Sequence, residues 1–368
     1  MAGIRFSLII AALIPLASLA QFGGVPMAPV PSDPLELATG AIQVVSTPED
    51  RAALIRLLNH ARNNYLLRSA STGYDLKVSF TAISGGATLF DGNWQLEETF
   101  VPKLGTRWTA STGAYHTTQI RANELSYGDA PSGSYPLVLH EARGSLLGPM
   151  PSVTYTRRTL IRSTIGTLNG VQLTCVLVSN AANSQTESQG RNWDETEECI
   201  NPSGLLVIHS LAPGRYALYD YSNGRQFHGH TFPRKVTITE GGNTVLEVHV
   251  DSLEDLPSAD PSLFEPTPEM KAKGPATEQS GALKIPAFPK HGPMIMTPGS
   301  ILQPVVVFGM LAPSGEILEA HSLQPSSPNS QAAVEAAKSL NLHFATAPGA
   351  APQEHFVFVI ERFAPSSQ

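Results

Sequence analysis

Apolar and polar positions change period along this chain, and each change marks an element. Between residues 48 and 67, Leu54, Leu57, Leu58, Ala61 and Tyr65 recur every three or four positions, the spacing of one helical stripe. Thr47 stands at the N-cap, Pro48 at the first helical position, and Glu49 and Asp50 at the positive end of the helix dipole. From Tyr74 the period becomes two. Leu76, Val78, Phe80 and Ala82 alternate with Lys77, Ser79 and Thr81, Trp94 and Leu96 with Gln95 and Glu97, and Trp108 and Ala110 with Arg107 and Thr109. Each run predicts a strand with one buried face.

Turn residues divide the later strands. Residues 161–167 lead through Leu168-Asn169-Gly170 into 171–178, and 236–239 lead through Gly241-Gly242-Asn243 into 244–250. Asn-Gly accepts the positive φ angles of a tight hairpin turn. Ala212-Pro213-Gly214 joins two further strands, 205–209 and 215–221, and one helix is expected at about 135–147. The fold class predicted is α+β: a large curved antiparallel sheet, a half-open barrel, with an N-terminal helix over residues 46–255.

Two Pro-rich stretches flank that unit. Residues 21–45 carry four closely spaced prolines and read as a tether. Residues 256–300 carry nine (257, 261, 266, 268, 275, 286, 289, 293 and 298) and read as an extended linker. Beyond it, over 301–365, a strand at 305–311, a turn with Gly315, a strand at 316–323, an alanine-rich helix at 330–340 and a strand at 356–363 predict a small ββαβ unit.

The first twenty residues change the picture. Arg5, the apolar run from Phe6 to Leu19 and Ser18-Leu19-Ala20 have the form of an export signal cleaved after Ala20. The run is shorter than the ~20 residues of a membrane span, so none is expected. The implied destination is the periplasm. There the two cysteines, Cys175 and Cys199, have one disulfide as their default; a reactive pair or a metal site are the rival readings, although a metal site wants three or four ligands. The net charge of −7, without any cluster of Lys and Arg, argues against nucleic acid or an anionic membrane surface as the main partner.

Two resemblances follow. Val305-Val306-Val307, Gly315, the helix around Ala332-Ala333-Val334-Glu335-Ala336-Ala337, Leu342 to Pro348 and the strand Phe356-Val357-Phe358-Val359-Ile360 resemble the C-terminal domain of TonB. The Tyr-Pro pair usual before the first strand and the tryptophan after the helix are missing. The resemblance implies an interaction domain that meets an envelope protein, with Phe356, Val357, Phe358, Val359 and Ile360 as the strand to which a partner segment adds. The region 46–252, through 74–82, Asp91 to Glu98 and Arg107-Trp108, resembles the LolA and LolB lipoprotein carriers, which implies an apolar cavity under a helical lid.

Candidate chemistry is sparse. Phe80, Trp94, Trp108 and Tyr155 are the candidates to line an apolar or lipid site; the competing reading is that they fill the barrel core, the normal state of small closed barrels. His228 and His230 would share a face if they lie on one strand, with His209 or His249 as a third ligand if the barrel brings them near, but surface or turn histidines are the commoner outcome, no three-ligand set is evident and no metal is assigned. Asp194, Glu195, Glu197 and Glu198 read as a solvated turn before Cys199. No nucleophile elbow, phosphate loop or zinc-protease motif occurs, so no catalytic residue and no cofactor is assigned. The function expected is a non-enzymatic periplasmic binding or adaptor protein; the alternatives are a structural protein with a packed sheet and a metal-dependent hydrolase.

Overall fold

A computed structural model describes residues 42–69, 72–83, 91–113, 115–130, 136–150, 153–179, 195–212, 214–275, 283–286, 303–325, 327–342 and 355–363. The export signal, nearly all of the 21–45 tether and Asp194 lie outside them.

Among the described residues, fifteen strands and two helices make the main unit. The chain runs β1 (Gln43–Val44), α1 (Pro48–Asn63), then the meander β2 (Gly73–Ala82), β3 (Gly92–Val101), β4 (Gly105–Thr112), β5 (Tyr115–Ala122) and β6 (Leu125–Gly128). After α2 (Leu137–Leu147) come β7 (Leu160–Leu168), β8 (Val171–Ser179), β9 (Thr196–Ile200), β10 (Leu206–Ala212) and β11 (Arg215–Asp220). A small hairpin, β12 (Arg225–Phe227) and β13 (His230–Phe232), precedes β14 (Lys235–Glu240) and β15 (Asn243–Leu256). Thirteen strands form one sheet in the order β1-β7-β8-β9-β10-β11-β14-β15-β2-β3-β4-β5-β6, with β15 joining the two meanders antiparallel to β2.

Local chemistry explains the elements. The Thr47 hydroxyl accepts from the Asp50 amide and starts α1. Asn169 and Gly170 take φ angles of 50° and 78°, and Gly241 and Gly242 take 54° and 85°, the left-handed pair that a two-residue hairpin requires. The inward positions of β2, namely Tyr74, Leu76, Val78, Phe80 and Ala82, join Trp94, Leu96, Trp108, Ile161, Val176 and residues of α1 and α2 in one buried cluster. Strands β8 and β4 stand eight places apart in the order, roughly 38 Å if the sheet were flat. One cluster spanning both, under two helices, requires the sheet to curl. It remains unclosed, since β1 and β6 are its two ends. The predicted half-open antiparallel sheet is the observed one.

Past β16 (Leu283–Pro286), the C-terminal unit also has the predicted order: β17 (Gln303–Leu311), β18 (Ile317–Ser322), the helix Ser330–Lys338 and β19 (His355–Phe363). Val305, Val307, Val357 and Val359 pack on Ala333 and Ala337 of the helix, and Val306, Phe308, Phe358 and Leu323 form a second cluster.

The 256–300 linker departs from an extended spacer. Pro261–Phe264 forms a 3-10 turn and Pro268–Lys273 a short helix, N-capped by Asp260 and Thr267. Phe264 and Met270 are buried, and the Lys273 ammonium donates to the Asp129 carbonyl at 2.7 Å. Two well-placed apolar side chains suffice to pin a stretch whose composition is otherwise that of a tether. Further on, β16 pairs parallel with β19.

Candidate functional site

One face of the large sheet carries both helices, and they are held differently. Helix α1 is fastened by side chain to backbone hydrogen bonds at each end. Arg51 donates to the carbonyls of Thr159 and Thr156 at 2.9 and 2.7 Å. Asn64, just past the helix, accepts from the Thr231 amide at 2.7 Å and donates to the Thr231 carbonyl. Helix α2 buries Leu137, Leu139, Ala142 and Leu146, and two of its charged side chains form ion pairs.

The first pair is built on Glu98, which shares the inward phase of Trp94 and Leu96 on β3 and has a fully buried side chain. Arg68, from the 3-10 turn Leu67–Ser69, donates to it at 2.5 Å, and the Tyr74 hydroxyl donates to the same oxygen at 2.6 Å. Arg143 of α2 holds the other oxygen at 2.7 Å and lies over the Trp108 ring, 5.3 Å from its centre. Burial alone would raise the Glu98 carboxyl, but Arg143 and Arg68 outweigh it and hold it at about 2. Burial and the Glu98 carboxylate push the Tyr74 phenol up.

The second pair joins α2 to the sheet and to the C-terminal unit. Glu141 of α2 pairs with Arg215 of β11, which also pairs with Glu240 of β14. Glu240 in turn meets His321 of β18. The Arg215 guanidinium carbon lies 4.0 Å from the centre of the Phe308 ring and 5.4 Å from that of Phe356, close enough for cation–π attraction. The turn before β11 allows this approach, since a Cβ on Gly214 (φ 91°) would come within 2.8 Å of the Leu323 Cβ.

The four candidate lining residues share the same cluster. Phe80 and Trp94 stack at 5.4 Å and 8°, Trp94 meets Tyr115 at 5.6 Å, and Tyr155 packs half-buried against the cluster. Phe80, Trp94 and Trp108 are only 2, 0 and 4% exposed. A cleft of about 300 Å³ opens at the rim beside Arg68, lined also by Phe100, Leu104, Lys103 and Arg121; none of the four rings reaches it.

Several expectations are corrected. The strand Phe356–Ile360 offers no free edge: β17 pairs along one side of β19, and β16 covers Val357–Ile360 on the other. The Ile360 side chain lies outside the described residues. His228 is not on a strand face beside His230. It takes φ 46° in the β12–β13 turn, because Gly229 follows it, and pairs with Asp255 at 2.5 Å. His209 lies on β10 beside Glu198, and His249 lies half-exposed on β15. The acidic run is not a solvated turn. Glu195, Glu197 and Glu198 are buried, and Arg162, two strands away on β7, binds Glu195 through two hydrogen bonds of 2.7 and 2.6 Å. Cys175 and Cys199 face each other across β8 and β9 in a disulfide. Among the described residues, one group of three potential metal ligands occurs, Cys175, Glu197 and Cys199, and both its sulfurs are spent in that bond.

The sequence matches no protein-family model and no curated relative. Among solved structures, the chain is similar to one described as an outer membrane lipoprotein-sorting protein domain from Vibrio parahaemolyticus. The identity is 8% and the TM-score 0.35, covering 56% of this chain and 95% of the other. It is also similar to a LolA superfamily protein from Nitrosomonas europaea, at 12% identity and a TM-score of 0.29, covering 58% and 97%. The fold assignment rests on the strand order; likenesses this low add no argument to it. No described helix is long and apolar enough to cross a membrane.

Proposed function

We propose that the protein is a non-enzymatic, exported binding protein of the cell envelope, whose sheet holds an apolar or lipidic ligand beneath α2 and whose C-terminal unit meets a protein partner. The observation that carries this reading is the contrast between the two helices. Helix α1 is bonded to backbone at both ends, whereas α2, lying over the same apolar face, contributes Glu141 and Arg143 to charge pairs. The Glu141 and Arg143 side chains are partly exposed, 20 and 25%, so water can take their places if α2 lifts, at the cost of leaving the buried Glu98 carboxylate to Arg68 and Tyr74. Phe80, Trp94, Trp108 and Tyr155 are the surface such a ligand would meet. Organic extraction and mass spectrometry of the purified protein should yield a stoichiometric lipid, and an apolar dye should compete with it.

The close packing of Phe80, Trp94 and Trp108 favours a second reading, in which the sheet is a filled scaffold for the C-terminal unit. Absence of both lipid and dye binding decides for it. Because β16 covers Val357–Ile360, a partner strand can reach that edge only by displacing β16. A peptide spanning residues 281–290 should therefore bind in trans to a variant lacking those residues, and failure to bind a folded variant removes that docking mode.

A further inference from the structure

A second cleft, of about 510 Å³, opens on the sheet's other face, away from α1 and α2. Its floor is Ser79 of β2 and His249 of β15, which are cross-strand partners, and its walls are Asn223, Arg225 and Arg234. Ser79 lies out of phase with the buried Val78 and Phe80, which fixes the face. The ladder slips here: Val250 pairs with Val78 and Ser252 with Lys77, leaving Asp251 as the extra residue of a bulge. Bulges re-aim side chains and recur beside binding sites. The bulge residue is the cleft's carboxylate, and it accepts from the Ser79 hydroxyl at 3.0 Å.

The cleft is set in place by the backbone. The Arg234 amide donates to the Asp220 carbonyl, and the Arg234 carbonyl accepts from the Val250 amide, both at 2.8 Å. Asn223 takes φ 56° in the turn before Arg225. Arg225 spends a donor on the Asp251 backbone carbonyl at 3.2 Å, a neutral acceptor. Two guanidiniums and one carboxylate line the cleft; His249 at its floor is shared with Glu247, 3.9 Å away, and Asp220 lies within electrostatic reach of Arg234, so Arg225 is the cation bonded only to a neutral carbonyl there. The volume lies within the 300–1,000 Å³ of small-molecule sites. Forked guanidiniums suit phosphate and carboxylate oxygens, while a carboxylate beside a serine hydroxyl suits ligand hydroxyls.

From this juxtaposition we propose that the cleft between β2, β15 and the 221–225 turn binds a small anionic, hydroxylated ligand, a phosphorylated or carboxylated sugar. Arg225 and Arg234 take the anion, and Asp251 and Ser79 take hydroxyls. This site is independent of the apolar face. Isothermal titration calorimetry of the full mature chain at low salt, with inorganic phosphate, glucose-6-phosphate, glucuronate and neutral glucose, tests it. The two anionic sugars should bind more tightly than phosphate, and glucose should not bind. Arg225→Gln and Arg234→Gln should each weaken binding roughly tenfold, Asp251→Asn should abolish the sugars' advantage over phosphate, and Lys77→Gln, an outer-face cation beyond the cleft, should change nothing. A folded protein that binds none of the anions overturns the proposal. So does a loss in Lys77→Gln equal to that in the arginine variants, or equal affinity for phosphate and the sugar phosphate.

Discussion

Replacing Glu98 by glutamine keeps the shape of the side chain and removes the charge that Arg68, Tyr74 and Arg143 converge on. In the folded protein its carboxyl titrates at about 2, against 4.5 for an unperturbed glutamate. That gap corresponds to about 3 kcal/mol of stability near neutral pH, at ~1.4 kcal/mol per pH unit. Because the folded value is depressed, the contribution is complete above pH 4.5, shrinks as the pH falls and is gone below about 2. Urea unfolding at neutral pH, followed by near-ultraviolet circular dichroism, should therefore show Glu98→Gln losing about 3 kcal/mol. With a slope of ~1–3 kcal/mol per molar urea, the midpoint falls by about 1 M or more. The wild type should lose this same increment between pH 4.5 and 2, and the variant should not. A variant within about 1 kcal/mol of wild type, or one with an unchanged acid limb, would show that the buried carboxylate does not hold the sheet, the 3-10 turn and α2 together.

Three further outcomes follow from the packing. Trp94→Ala should cost about 3–5 kcal/mol if the apolar face is filled; a loss under about 1 kcal/mol in chemical unfolding would instead point to a ring bordering open space. Arg215→Met should release the C-terminal unit from the sheet and from α2, seen as a larger radius of gyration in small-angle scattering, and an unchanged profile contradicts the bridging role given to this side chain. Reduction of Cys175–Cys199, which closes a separation of 24 residues, should cost ~3 kcal/mol; equal melting temperatures with and without reductant at pH 7 would refute it.

Local chemistry made most of the framework readable. The Thr47 cap, the Asn169-Gly170 and Gly241-Gly242 turns and the alternation in β2 and β3 are interactions between neighbours in sequence, and all lie where the residues predict them. What stayed hidden depends on distant partners. Glu98 is in phase with Trp94 and Leu96, so its inward direction was readable, but its two arginines come from residues 68 and 143. Likewise Arg215 shares the phase of Ala217 and Tyr219, while its partners lie at 141, 240, 308 and 356. His228 and His230 would share a face only on one strand; the turn at His228-Gly229 parts them, the commoner case for such a pair. The acidic run was misplaced because Arg162, its counter-charge, lies on β7, more than thirty residues earlier.

The ladder between β15 and β2 sets an order of events for a chain that emerges from its amino end. Residues 73–82 present a ready apolar strand early, yet their partner spans 243–256. Until that stretch arrives, the first meander has a bare border open to any passing strand, and pairing across so many residues is intrinsically slow. The yield of folded protein should therefore be governed by completion of the entire main unit rather than by the strength of its final contacts.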